Sequence, residues 1–255
     1  MRIAILGLGE AGSEIARDLI AAGCQVVGYD PLPKELPGGT LATSEAEAVA
    51  QASVVLSVNS AADAMTALHN AGSLPEHAVW ADLNTKSAAR AVELGAEAQR
   101  RGILFVDAAL FAPVPGKGIR TPLVVCGPGA EIFAERLSPL GASIEVLDAP
   151  TGAASSRKLL RSVFYKGLAA AVVEALAGAE RAGCREWLYD NITQELAGFD
   201  ETTTQRLERG THLHANRRHA EMAAAAEQLN ELGVTPRIAA AARDLLGSLQ
   251  HSVES

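Results

Sequence analysis

Two groups of residues in this sequence have types and spacings that could do chemistry. The first is Lys158, Arg161, Ser162, Tyr165 and Lys166, set in the run from Gly152 to Gly167. At 100° per residue these five share one side of a helix. The rest of the run is largely Leu, Val and Ala, so much of the helix is expected to be buried. Charged side chains there need partners, and an anionic substrate in a cleft would supply them. The alternative is a cationic stripe facing water.

The second group is Gly7-Leu8-Gly9-Glu10-Ala11-Gly12, which follows the apolar Ile3-Ala4-Ile5-Leu6 and opens an amphipathic segment. In this G-x-G-x-x-G spacing Gly7 permits a tight turn, Gly9 lets a pyrophosphate approach the backbone, and Gly12 lets helix and strand pack closely. The N–H groups at the helix start then face the phosphates. A second strand, Val26-Val27-Gly28-Tyr29, ends in Asp30, where a carboxylate takes the adenosine ribose hydroxyls and repels a 2′-phosphate. That favours NAD over NADP, while Lys34 stands close enough in sequence to meet a phosphate. Two later strand ends, Ser57-Val58-Asn59-Ser60 and Asp82-Leu83-Asn84-Thr85, carry small polar residues. Ligands of open α/β sheets lie beyond the carboxyl ends of the strands, so Val58, Asn59, Asn84 and Thr85 are expected beside the nicotinamide half. Helix capping is the other role such residues serve.

The elements that position these groups alternate up to about residue 149. Strands are expected over 2–6, 25–29, 53–58, 78–82, 103–107, 123–126 and 143–147, with helices over 10–22, 44–51, 61–71 and 86–101. Ser44 and Glu47 have capping-box spacing, and Gly23, Gly72 and Gly102 mark helix ends. From about Thr151 the pattern is helical only: 152–182, 185–197, 201–209, 215–232 and 236–250, the last opened by Thr235-Pro236. The fold class expected is α/β. A doubly wound, mostly parallel Rossmann-type sheet takes 1–150, and an all-α domain takes 151–255. The helix carrying Lys158 joins them, and the active site is expected in the cleft between the two.

Composition narrows the function. A formal charge of −8 without a basic block argues against a nucleic-acid partner. The three cysteines, Cys24, Cys126 and Cys184, are far apart with no CxxC pair, as in free thiols of a reducing compartment. The opening run is too short for a signal-peptide core, and no apolar stretch is judged to reach a membrane span. A cytoplasmic protein is the expectation. His214 and His219 are five residues apart, which does not give the HxxxH pair of a helical zinc site, so no metal is expected. The Pro/Gly-rich segment 112–122 carries Lys117 and Arg120 and is either a loop that closes over substrate or a surface connection.

These motifs together resemble the β-hydroxyacid dehydrogenase superfamily, which includes 3-hydroxyisobutyrate and 6-phosphogluconate dehydrogenases. The resemblance rests on the glycine motif, on Asp107-Ala108-Ala109, and on Gly152 followed six residues later by Lys158. It implies an NAD(P)-dependent oxidoreductase acting on a small anionic hydroxy acid or related carbonyl compound, with Lys158 as general acid/base. For that role the lysine value of about 10.4 must come down towards neutrality, helped by partial burial and by a neighbouring cation such as Arg161. The resemblance also implies a homodimer, and a substrate cleft or dimer contact near His214, Arg217 and Arg218.

The sequence departs from the family pattern at the substrate positions. Where the family has a serine and two glycines, this chain has Leu110-Phe111-Ala112-Pro113; where it has two asparagines, Arg161-Ser162 stand instead. Phe111, Arg161, Ser162 and Lys166 are therefore the expected substrate contacts, and the C-terminal half looks like a little-characterised branch. Other readings are an imine- or enamine-reducing relative, against which Lys158 speaks, and an NAD(P)-binding protein without turnover.

Overall fold

The computed structural model describes residues 1–249, in two compact units that divide between Arg161 and Ser162. The first unit is built on eight strands: β1 (Arg2–Leu6), β2 (Gln25–Tyr29), β3 (Thr40–Leu41), β4 (Val54–Ser57), β5 (Val79–Asp82), β6 (Leu104–Leu110), β7 (Leu123–Cys126) and β8 (Ile144–Val146). They lie in the order β3-β2-β1-β4-β5-β6-β7-β8, parallel throughout except where β6 meets β7. The helices between them are α1 (Glu10–Ala21), α2 (Glu45–Val49), α3 (Ala64–Asn70), α4 (Ala88–Arg100) and α5 (Ala130–Leu137).

Strand alternation separates two apolar layers. From β1, Ile3 and Ile5 enter one layer with Ile15, Leu19 and Phe133, and Ala4 and Leu6 enter the other with Leu68, Trp80, Leu94 and Phe105. Both faces of the sheet are thus covered, which is why its strands read as continuous apolar runs. Pairing sets the site: Leu6 is opposite Tyr29 and Ser57, and Ser57 is opposite Asp82. The residues that follow β1, β2, β4 and β5 therefore emerge at one edge, on either side of the β1/β4 reversal in strand order.

Several boundaries move. β6 runs on to Leu110, because Leu104–Asp107 pair in parallel with β5 and Asp107–Leu110 pair antiparallel with β7. β3 was not anticipated; it is two exposed residues at the sheet edge after Gly38-Gly39. α4 begins at Ala88 rather than residue 86, since Ser87 Oγ accepts the Arg90 N–H as its cap. At α2 the Ser44 hydroxyl accepts the Glu47 N–H, while the Glu47 carboxylate turns back onto Thr43 rather than Ser44.

The second unit is helical: the later turns of α6 (Ala153–Arg181), then α7 (Arg185–Ala197), α8 (Thr203–Leu213), α9 (Ala215–Glu231) and α10 (Arg237–Leu249). Residue 250, the expected end of the last helix, lies outside the described residues. α9 packs along α10, and Gly178 of α6 admits the Leu229 side chain, which a Cβ there would meet at 2.6 Å. The Glu174 carboxylate accepts the N–H groups of Arg237, Ile238 and Ala239, capping α10 from another helix.

α6 corrects one expectation. It is long and apolar enough, by length and composition alone, to cross a membrane, which the sequence reading had denied. The apolar side chains Leu160, Val163 and Val173 are 69%, 74% and 70% exposed, so α6 is not the buried helix expected from its composition. α7 buries none of its residues and exposes Trp187 and Tyr189.

Candidate functional site

The glycine turn has the geometry its spacing implies. Gly7 has a φ of +99°, and a Cβ on it would lie 2.6 Å from the Val58 carbonyl oxygen. A Cβ on Gly12 would lie 1.9 Å from the Gly7 carbonyl oxygen, so strand and helix approach too closely for any side chain. A Cβ on Gly9 would meet nothing within 4 Å. Gly7 and Gly12 are thus demanded by the fold, whereas nothing in the protein crowds Gly9, which leaves its backbone open to close approach by a ligand. Gly9 is also the N-cap of α1, without a side-chain cap, and Glu10, Ala11 and Gly12 form the first turn behind it.

Asp30 closes over this turn. Its Oδ2 accepts the Leu8 N–H at 2.8 Å and its Oδ1 accepts the Leu32 N–H at 2.9 Å. A carboxylate oxygen has a second lone pair, so both remain able to accept from ribose hydroxyls. Asp30 lines a concave site of about 380 Å³ with Tyr29, Pro31, Lys34, Leu41 and Thr43, which is wide enough for an adenosine.

At the neighbouring strand ends Asn59 and Asn84 are joined to each other. Asn84 Nδ2 donates to Asn59 Oδ1 at 2.7 Å, to Ser57 Oγ at 3.2 Å and to Asp82 Oδ1, while Ser57 Oγ donates to Asn59 Oδ1 at 3.1 Å. The amide donors of Asn84 are spent inside the protein. Asn84 is itself buried, whereas the Thr85 that follows it is exposed.

Lys158 is brought to this edge from α6: its Nζ donates to Thr85 Oγ1 at 2.7 Å. One turn on, the Arg161 guanidinium lies over the Phe111 ring, 5.7 Å from its centre. Lys158, Thr85, Arg161 and Phe111 are all in the first unit. Ser162, Tyr165 and Lys166 continue the same helix in the second unit, where Phe164 and Tyr165 meet edge to face. Of the remaining candidates, Arg218 is tied to Thr211 across α8 and α9, Arg217 is exposed 3.7 Å from Glu221, and His214 is exposed at the junction of the two helices. Arg218 has a structural bond of its own, which weakens its claim to a substrate anion.

The segment 112–122 is fastened to α1. Glu14 Oε2 accepts the Gly116 N–H at 3.1 Å and Asp18 Oδ2 accepts the Ile119 N–H at 3.0 Å. These two bonds give it the form of a pinned connection.

Sequence reasoning missed a buried polar group behind the site. Lys86 Nζ lies 3.0 Å from Asp107 Oδ1 and 3.4 Å from Asp82 Oδ2, with all three side chains at most 1% exposed. Burial pushes the Asp82 carboxyl above the usual carboxylate value, against the pull of the Lys86 ammonium. Burial works on Asp107 in the same sense, but Lys86 and the hydrogen bonds from Ser155 outweigh it and hold Asp107 below the usual value. The sequence places Lys86 as the first residue of a helix, with no role assigned to it. Its placement between two strand-terminal aspartates was the one available signal.

Two family descriptions match the chain. Residues 2–127 match the NAD binding domain of 6-phosphogluconate dehydrogenase, and residues 179–249 match a domain of unknown function, DUF1932. A probable 3-hydroxyisobutyrate dehydrogenase of Mycobacterium tuberculosis is 30% identical over 204 residues, covering 75% of this chain and 68% of that protein. The crystal structure of a conserved hypothetical protein from Sinorhizobium meliloti is 31% identical, with a TM-score of 0.63 over 97% of this chain and 87% of that one. A reductive aminase from Aspergillus terreus, solved with NADPH and ethyl levulinate, shares the fold at 20% identity, with a TM-score of 0.79 over 99% of this chain and 93% of that one.

Proposed function

The chain belongs to the β-hydroxyacid dehydrogenase superfamily of NAD(P)-dependent oxidoreductases, and from that premise we propose that it oxidises a small anionic hydroxy acid, or reduces the matching carbonyl compound, with Lys158 as general acid/base. The observation that carries this reading is the Lys158 ammonium bonded to Thr85 at the carboxyl end of β5, the same edge of the sheet at which the glycine turn follows β1. When bound, the nicotinamide supplies the hydride acceptor or donor. In oxidation the neutral Lys158 amine takes the hydroxyl proton as the carbon–oxygen double bond forms, and in reduction its ammonium returns that proton. Thr85 Oγ1 accepts from Lys158 and orients it. Arg161, backed by Phe111, is the cation for the substrate anion, with Ser162 and Lys166 further along the same helix.

Asp30 favours NAD, because a 2′-phosphate would meet a carboxylate already fixed by two backbone N–H groups. A homodimer is part of the proposal: a helix as apolar and exposed as α6 needs a covering surface, and a second copy would supply it.

The test is turnover by purified protein, with NAD+ or NADP+ over a panel of small hydroxy acids and with NADH or NADPH over their carbonyl counterparts and cyclic imines, repeated with Lys158→Met. Oxidation of a hydroxy acid that Lys158→Met abolishes supports the reading. Reduction of imines alone, cofactor binding without turnover, or full activity of Lys158→Met overturns it.

A further inference from the structure

Among the described residues Lys86 is the one Lys or Arg that is buried. Its ammonium faces only oxygens in the contacts it makes: the two carboxylates, and the main-chain carbonyls of Asp82 at 3.1 Å and Asn84 at 3.4 Å. A surface pair of this kind could part at little cost, but a dry one holds its partners in register. Asp107, the stronger partner, is occupied on its other side by α6. Its Oδ2 accepts the N–H groups of Gly152 and Ser155, both at 3.1 Å, and its Oδ1 accepts the Ser155 hydroxyl at 2.6 Å. Asp107 thus caps the first turn of α6 from the middle of β6.

These contacts close a circuit. Ser155 is one helical turn before Lys158, Lys158 reaches Thr85, Thr85 precedes Lys86, and Lys86 returns to Asp107. The geometry points to Lys86, Asp107 and Ser155 as positioning residues that set where the Lys158 amine lies against Thr85, holding the backbone on both sides of that contact from the dry interior. All three are buried, so none presents its side chain to the solvent at the proposed ligand edge. Their importance to turnover rests on the proposed role of Lys158, whereas the positioning itself can be measured without substrate.

The measurement is competitive trace acetylation of the full chain with acetic anhydride at one mildly alkaline pH, read by peptide mass spectrometry. The rate at Lys158 is normalised to the exposed Lys34 in the same sample. Thr85→Val breaks the contact directly and calibrates the effect. Ser155→Ala and Asp107→Asn are expected to move the Lys158 rate in the same direction as Thr85→Val, by about threefold or more, the size of one net hydrogen bond. Ser155→Thr, which keeps the hydroxyl, restores the original rate. Ser155→Ala combined with Thr85→Val adds nothing beyond Thr85→Val alone, because both act on one contact.

A merely structural role gives a different pattern. Melting temperatures fall while the Lys158 rate in Ser155→Ala stays at the wild-type value, or the two substitutions act additively, and either result overturns the proposal. So does an unchanged rate in Thr85→Val. Where Asp107→Asn does not fold, the Ser155 variants decide. Full turnover by Lys158→Met sinks the functional reading and leaves the labelling result standing.

Discussion

Asp30 holds the Leu8 amide at 2.8 Å, so the residue proposed to select the cofactor also holds the glycine turn. Asp30→Ala removes an acceptor for ribose hydroxyls and one for the backbone together. Isothermal titration should show NADH affinity falling by about tenfold or more, the cost of a hydrogen bond to a charged group. NADPH affinity should fall less, so the ratio of the two shifts towards NADPH. Equal loss for both would mean that Asp30 serves the turn alone.

Arg161 should act on substrate binding more than on the chemical step. For an anionic substrate, Arg161→Gln raises KM by about tenfold or more and leaves kcat within a small factor. Phe111→Leu removes only the ring beneath the guanidinium and has a smaller effect in the same direction, of about 0.5–1 kcal/mol. Steady-state kinetics on the two variants separates these contributions.

The buried group predicts an acid limb of stability. Asp107 has a folded value below its ordinary 3.8, so the stability it adds is present at neutral pH and lost as pH falls through that folded value. Asp82 is raised, so its charged form costs stability above its folded value, and that cost is relieved as it takes up a proton on acidification. Urea melts as a function of pH should therefore show the loss due to Asp107 only below about 3.8. In Asp107→Asn that step should be absent. At neutral pH Lys86→Met, which strands two buried carboxylates, should cost about 3–5 kcal/mol.

In the helical unit, Glu174 replaces a missing local cap. Glu174→Ala frees the first N–H groups of α10 and should destabilise the unit by about 1 kcal/mol, read as a lower urea midpoint. Burial is the largest single influence on the Glu174 carboxyl and raises it, but its three N–H partners together outweigh burial and hold it below its ordinary 4.5, so this contribution is present at neutral pH and fades on acidification through the lowered folded value. A flat stability below pH about 4.5 in the wild type would contradict it.

What was legible in the sequence followed from backbone needs. Gly7 and Gly12 were readable because no side chain fits where strand and helix cross, and Asp30 because it ends a strand at a fixed interval. The pairing of Lys158 with Thr85 was not readable, since it joins residues far apart in the chain through a change of element. Lys86 escaped because a lysine after a strand reads as solvated, and only the approach of Asp107 from β6 makes its burial possible. The extension of β6 was hidden for a related reason: Ala108-Ala109-Leu110 has no strand signature until the antiparallel β7 is beside it. The exposed flank of α6 inverted an inference from composition, because apolar residues mark what is to be covered without saying by which chain.

The two tryptophans give this protein a built-in pair of optical reporters. Trp80 is sealed in β5 at 1% exposure, two residues before Asp82, and Trp187 stands on α7 at 67% exposure. A shielded indole emits at shorter wavelength than a hydrated one, so one emission spectrum carries a blue component from the sheet unit and a red component from the helical unit. Chemical denaturation followed at the two ends of that spectrum resolves the melting of each unit without any introduced label. A blue shift of the red component with rising protein concentration would register the covering of the helical unit by a second copy.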